Sequence, residues 1–318
     1  MPRNSTWQRL MIRAATSNRI KRVVTAAGNT IGVGRRFAGR TNVSEAIAVA
    51  NQLRSRGFSS SLFYLGEYAR NASIVEETVG QSIAAAHALG AAELDVHVSI
   101  DPTSVGYSLD DALGMNNAYR IGNVIAASAH AGRHCMMVDM EDYSLLEKTL
   151  TLERALAAKK IPVAVTLQAY LHRTANDLSA IIRRAGYVLL VKGAFAEREP
   201  FAWQSRSDID ESYIKLAKQM LSTDARETGF YPAFGTHDER LIRAIQAAAR
   251  AQRWTPGTYE FEFLYGVNMR LAAQLVTEGE SVRLYLPFGR DWWPYVARRI
   301  GESPSYLKFL IRTLIHSN

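Results

Sequence analysis

Val163-Ala-Val-Thr-Leu-Gln-Ala-Tyr170 and Tyr187-Val-Leu-Leu-Val-Lys-Gly-Ala194 bracket the stretch that decides the fold. Each opens as an apolar, β-branched run and closes on polar or small residues: Gln168 and Tyr170 in the first, Lys192 and Gly193 in the second. Between them, residues 177–184 carry a helical period. A strand, a helix and a second strand within roughly 30 residues make a crossover unit, which brings two strands side by side in parallel.

The same alternation fills most of the chain. Apolar, β-rich runs occur at 60–65, 94–100, 135–140, 163–169, 187–191, 231–234, 259–264 and 282–286. Helix-periodic stretches lie between them at 71–89, 145–159, 177–184, 209–221, 239–253 and 269–278. Eight strand units in roughly 250 residues predict an α/β protein of the (β/α)8 TIM-barrel type. The competing architecture is an open doubly wound sheet, which often carries a phosphate loop. Gly32-Val-Gly34 is a lone G-x-G with no later glycine and no preceding strand, a weak signal for that loop. Residues 1–58 read as a helical arm, with 44–56 its clearest helix, and residues 59–318 as the barrel.

Composition narrows the function classes. The 318 residues are 47% hydrophobic and 21% charged, the balance of a globular protein with a large core. No apolar run reaches the roughly 18 residues that suggest a membrane span. One cysteine, Cys135, excludes an internal disulfide framework and fits a reducing compartment. The net charge of +8 is partly terminal: no acidic residue precedes Glu45, whereas Arg3, Arg9, Arg13, Arg19, Lys21 and Arg22 do. Such a terminus reads as a structural arm, as a basic helix on a membrane surface, or as a transit peptide. The expected location is therefore cytoplasmic, with peripheral membrane contact, or mitochondrial if the terminus is a targeting signal. Nucleic acid is not an expected partner.

In a barrel of this type the active site forms at the carboxyl ends of the strands. Here those ends carry Glu67; Asp101; Asp139 and Glu141; Gln168 and Tyr170; Lys192 and Gly193; Thr236, His237 and Asp238; Glu262, Tyr265 and Gly266; and Tyr285. Singly, each fits a solvated loop residue or a cap, and Asp238 is placed to cap the helix beginning at Glu239. Together they converge on one mouth. The eighth strand is expected to stop at Pro287-Phe288-Gly289, before a turn and a helix carrying Arg298 and Arg299 beside Trp292, Trp293 and Tyr295. Two adjacent guanidiniums can hold a carboxylate with bidentate geometry.

The histidines show no metal-ligand spacing, and Asp139-x-Glu141 alone is insufficient for a metal. No Gly-x-Ser-x-Gly elbow is present, and Cys135 lies inside a strand. Lys192 at a strand end admits a Schiff-base reading. It equally suits a phosphate contact, with Gly193 and Ala194 letting backbone come close to a ligand. A mouth of Gln, Lys, Thr-His and Arg-Arg suits a bulky anionic cofactor with a small carboxylate substrate.

Several stretches resemble the proline dehydrogenase family. They are Arg36-Phe-Ala-Gly39, Leu65-Gly-Glu67, Val138-Asp-Met-Glu141, Thr166-Leu-Gln-Ala-Tyr170 with Arg173, Val191-Lys-Gly-Ala194, Gly235-Thr-His237, Tyr259-Glu-Phe-Glu-Phe-Leu-Tyr-Gly266, and Arg298-Arg299 with Glu302. The resemblance implies a (β/α)8 barrel binding FAD without a covalent link. It implies oxidation of proline, or a related amino or imino acid, to the imine (1-pyrroline-5-carboxylate from proline), with electrons passing to a quinone or another acceptor. It would put Asp139 near the active centre, Met140 beside the flavin and Gln168 on the isoalloxazine. Val191, Lys192 and Gly193 would line the flavin, with Lys192, Thr236 and His237 serving its phosphate and ribityl portions. Glu302 would help close the site, Arg298 and Arg299 would grip the substrate carboxylate, and Tyr285 would pack over the substrate ring.

Two departures bear on substrate. The family's Val-Ser-Val-Lys-Leu-Thr-Gln-Leu-Gly is here Val98-Ser-Ile-Asp-Pro-Thr-Ser-Val-Gly106, so Asp101 replaces a lysine of the substrate site. Leu189 replaces an arginine expected two residues before Val191, and Phe195 stands where a tyrosine is usual. The mouth loses two cations and gains an anion. A second expectation follows, of a non-catalytic or substrate-diverged relative that binds flavin or ligand without oxidising proline.

Overall fold

In the computed structural model, eight parallel strands close on themselves in chain order. The structure describes residues 41–66, 69, 71–128, 130–289, 293 and 295. The expected sites at Glu67, Arg298, Arg299 and Glu302 lie outside the described residues, as do Trp292 and most of the expected amino-terminal arm.

The strands are β1 Ser59–Tyr64, β2 His97–Ile100, β3 Cys135–Val138, β4 Val163–Gln168, β5 Tyr187–Val191, β6 Tyr231–Gly235, β7 Glu260–Leu264 and β8 Val282–Phe288. All eight apolar runs are strands, and β5 has its expected bounds. The barrel closes where β8 pairs in parallel with β1, from Ser59 opposite Arg283 to Tyr64 opposite Phe288. The eighth strand ends within Pro287-Phe288-Gly289, two residues past its apolar run. It runs through Pro287, which faces Phe63, to Phe288, whose carbonyl accepts from Leu65 N–H at 2.8 Å.

Nine α-helices accompany the strands among the described residues: α1 Val43–Arg54, α2 Ala72–Ala91, α3 Asp111–Ala126, α4 Leu146–Ala158, α5 Thr174–Ile182, α6 Arg206–Met220, α7 Thr223–Thr228, α8 Glu239–Ala251 and α9 Met269–Thr277. Several starts are dictated by capping side chains, whose oxygens satisfy the first-turn N–H groups. Asn71 accepts from Ile74 N–H at 3.0 Å, Asp110 from Leu113 N–H at 2.8 Å, and Asp238 from Arg240 N–H at 3.1 Å. Helices α3 and α7 have no counterpart among the predicted stretches. None of the described helices is long and apolar enough to cross a membrane.

Alternation along the strands divides the buried residues into two sets. Outward-facing Val98, Ile100, Met136, Val138, Val165, Leu167, Val188, Leu190, Phe261 and Phe263 join the helices in one large core, to which α1 contributes Ala46, Val49, Ala50 and Leu53. Inside the barrel lies a second, smaller apolar cluster: Cys135, Met137, Ala164, Tyr187, Leu189, Tyr231 and Ala233.

The inner cluster shares the barrel with charge. Arg283, 1% exposed, donates to Glu260 Oε1 and Oε2 at 2.7 and 3.1 Å, to Ser60 O at 3.0 Å and to Asp95 Oδ2 at 2.9 Å. Glu260 also accepts from the hydroxyls of Tyr187 at 2.6 Å and Tyr231 at 3.3 Å. Arg133 lies over the Tyr231 ring, 3.4 Å from its centroid, and donates its backbone N–H to Asp95. Strand-start residues thus close the amino end of the barrel with a hydrogen-bonded ion cluster. Buried charges persist only when paired and bonded in this way. His97 lies in the same layer, and burial drives its imidazole well below its usual pKa, which leaves it neutral.

Candidate functional site

The carboxyl ends of the strands bring together most of the described candidates. Asp139 follows β3 directly and receives two hydroxyl donors. Thr166 of β4 reaches Oδ1 at 2.7 Å, and Tyr285 of β8 reaches Oδ2 at 3.2 Å from across the barrel. Tyr285 also stacks on Phe63 of β1, with centroids 5.5 Å apart. Two donors on separate strands fix the orientation of the carboxylate, and hydrogen bonds to a charged group are the stronger kind.

Gln168 ends β4 and is 2% exposed. Its amide nitrogen donates to the carbonyls of Met140 at 3.3 Å and Glu141 at 3.2 Å. Those bonds identify the nitrogen and leave Oε1 as a buried acceptor with no partner among the described residues. Gln168, Val191, Gly235 and Glu262 are successive register partners across four strands. Gln168 and Val191 therefore stand at one level of the mouth, with Met140 behind.

Lys192 follows β5, and its ammonium is committed to two carboxylates, Asp210 at 2.5 Å and Asp238 at 3.3 Å. Arg240 also pairs with Asp210 at 2.5 Å. A Schiff-base nucleophile needs an amine released from such partners, so the geometry favours an electrostatic role for Lys192. Gly193 holds φ +102°, and a Cβ there would sit 2.1 Å from the Tyr170 ring. Glycine is required by that close approach as well as by its conformation. Thr236 is buried and accepts from Asp238 N–H at 3.2 Å, while His237 packs edge-on against Phe263.

Asp101 sits at the end of β2, ahead of a 3-10 turn at Pro102–Val105. The next residues bind Glu141: Thr103 donates through N–H at 2.8 Å and through its hydroxyl at 2.6 Å. Glu141 is thereby turned into a clamp between the β2 and β3 loops, a role sequence reading missed. Leu189 belongs to the apolar cluster inside the barrel and is 5% exposed. Trp293 and Tyr295 are both buried.

Glu262 was expected among the strand-end groups at the mouth. It lies in the middle of β7, 4% exposed, with its carboxyl inside the barrel. Ser61 of β1 donates to its Oε1 at 3.1 Å, a bond that passes over the inner face of β8. The signal was present in Glu260-Phe-Glu-Phe263: strict alternation on a strand buried on both sides places both glutamates inward.

This arrangement defines a (β/α)8-barrel protein whose convergent polar groups occupy the end of the barrel where that fold does its chemistry. Comparison with known proteins narrows the class. The proline dehydrogenase family profile matches residues 46–312, and the chain belongs to that family. It is 32% identical over 285 residues to proline dehydrogenase 2 of Bacillus subtilis strain 168, covering 90% of this chain and 91% of the relative. It is also 32% identical to the proline dehydrogenase of Deinococcus radiodurans over 288 residues, 89% of this chain and 90% of that protein. Among solved structures, proline utilization A from Bdellovibrio bacteriovorus superposes with a TM-score of 0.78 at 18% identity, over 92% of this chain and 36% of that one. The last comparison speaks to fold, and the chain spans about a third of that protein's length.

Proposed function

We propose that the protein is an FAD-dependent oxidoreductase that oxidises proline, or a closely related amino or imino acid, to the imine, giving 1-pyrroline-5-carboxylate from proline. Electrons then leave to a quinone or another acceptor. Family membership supports the reaction class. The observation that carries the site reading is the fixed carboxylate at the mouth, Asp139 with its Thr166 and Tyr285 donors, one strand away from the buried acceptor of Gln168.

Gln168 Oε1 provides a test of cofactor fit. A heterocycle with an N–H at its edge, as an isoalloxazine has, would satisfy that buried acceptor, which is otherwise costly to leave unpaired. The residues present fit the group. Gln168, Met140, Val191 and Gly193 would hold its ring system, and Lys192, Thr236 and His237 its phosphate and ribityl portions. When bound, FAD supplies a two-electron acceptor for a hydride. The chain's own task is positioning. Asp139 would pair with the substrate amine while Arg298, Arg299 and Tyr285 hold the carboxylate and ring, so that the reacting carbon is kept in place. Glu302 would help to close the site.

Leu189 and Asp101 support a substrate-diverged reading as the second choice. Leu189 packs among apolar residues inside the barrel, so no cation stands at that position to balance charge at the mouth. Asp101 would repel a carboxylate and favour a substrate with an additional amine. A screen of amino and imino acids for anaerobic bleaching of bound flavin decides between them. Bleaching by proline supports the first reading, and bleaching only by other amino acids supports the second. Protein that is colourless and cannot be reconstituted with FAD would refute both.

A further inference from the structure

Directly below the mouth the barrel holds a carboxyl group with no part in holding cofactor or substrate. Glu262 is 4% exposed, and Ser61 donates to its Oε1. Its Oε2 has no hydrogen-bond partner among the described residues. Among the described residues no cation pairs with it either. Arg283 of the neighbouring strand, whose charge acts on Glu262, spends its donors on Glu260, Asp95 and Ser60. Among the described residues, the other charged or titratable groups that interact with Glu262 are acids or weak acids: Glu260 on its own strand, Asp139 at the mouth, and Tyr187 and Cys135 across the interior.

An ionised carboxylate so placed would be buried, unpaired and only half bonded, close to two other carboxylates. That state is strongly disfavoured by desolvation alone. Two interacting acids relieve such a cost by sharing one proton, with the better-solvated partner staying charged. Asp139 is the better-placed partner, since it is half-buried and receives two hydroxyl donors. We propose that Glu262 is a neutral carboxylic acid in the working protein, a positioning residue whose proton keeps a further negative charge from building up beneath Asp139 at the floor of the mouth. The substrate's carboxylate then meets the acids of the mouth, Asp139 and Asp101, without a further anion beneath them.

Burial and then Glu260 push the Glu262 carboxyl up to about 8, against the pull of Arg283, with a smaller push from Asp139 and a smaller pull from Ser61. The proton is therefore lost in the alkaline range, and the mouth then gains a charge that repels a carboxylate ligand.

The first test needs no turnover. In pH-difference infrared spectra, the wild type should show a protonated carboxylic acid carbonyl band that disappears through about pH 8. Glu262→Gln should lack that band. Identical difference spectra in the two proteins would overturn the protonation claim. The second test rests on the proposed function and uses oxolane-2-carboxylate, a cyclic carboxylate with no amine to titrate. Its affinity for the FAD-loaded wild type should fall several-fold as the band disappears, and should stay level in Glu262→Gln, the uncharged isostere. An equal alkaline loss in both proteins would overturn the control of the mouth by Glu262. If oxolane-2-carboxylate binds neither protein while the band behaves as expected, the carboxylate-site reading fails and the neutral acid stands.

Discussion

Arg283→Met tests whether the ion cluster at the amino end of the barrel is held together by one guanidinium. Methionine fills much of the same space and offers no donor. Two carboxylates lose their cation, but unequally. Asp95 is 22% exposed and keeps the Arg133 N–H at 2.8 Å, so solvent and backbone can still support it. Glu260 is 3% exposed and, among the described residues, keeps only the hydroxyls of Tyr187 and Tyr231. Most of the cost therefore falls on Glu260. Removing one partner of a buried pair costs about 3–5 kcal/mol, because the remaining charge is left uncompensated. Restoring neutrality should recover much of this. Glu260→Gln placed on Arg283→Met keeps a carbonyl oxygen for the two tyrosine hydroxyls and removes the charge, so the double variant should regain about 2 kcal/mol. Urea unfolding followed by far-ultraviolet circular dichroism measures both losses, with equal slopes required for the comparison. An Arg283→Met protein within about 1 kcal/mol of wild type would refute the reasoning. So would a double variant no more stable than the single one.

Three further outcomes are expected. Tyr285→Phe keeps the ring stacked on Phe63 and removes the hydroxyl at 3.2 Å from Asp139. With FAD bound, kcat/KM should fall roughly 10- to 100-fold, the equivalent of a hydrogen bond to a charged group, at unchanged unfolding midpoint. Gly193→Ala forces a side chain to φ +102° and into Tyr170, which should cost about 1–3 kcal/mol in urea unfolding and weaken flavin retention. Glu262→Gln should change how stability depends on pH. A carboxyl raised in the folded state to about 8 contributes stability that is complete below its unfolded pKa and is lost as pH rises through the folded value. The wild type should accordingly lose stability between those limits while the variant does not, as thermal midpoints across that range would show.

The outward face of the barrel was legible in the sequence because each strand, buried on both sides, is a near-continuous apolar run. Val163–Gln168 and Tyr187–Val191 stand within a residue of their expected limits. Strand ends shifted where a ladder bond, rather than hydrophobicity, sets the boundary. β2 begins at His97, three residues after its apolar run starts. α3 was missed because Asp111–Ala126 mixes Gly114, Gly122 and three asparagines with its apolar positions, weakening the helical period. At the mouth, strand order and strand ends were enough to bring Asp139, Gln168, Val191, Lys192 and Tyr285 together. Pairings across the barrel were not legible. That Tyr285 reaches Asp139, that Thr103 clamps Glu141 and that Ser61 bonds Glu262 depend on the shear of the closed sheet, which residue spacing along the chain does not encode.

Cys135 is the one sulfhydryl in the chain and stands inside the barrel, 1% exposed, with burial pushing its thiol pKa up. A thiol reagent can reach it only after the ring of strands has parted. Its labelling rate under native conditions is thus a clock for barrel opening, read at one atom and without an introduced probe. A ligand that closes the mouth but leaves the strands free to part would leave that clock unchanged, whereas one that ties the strands together would slow it.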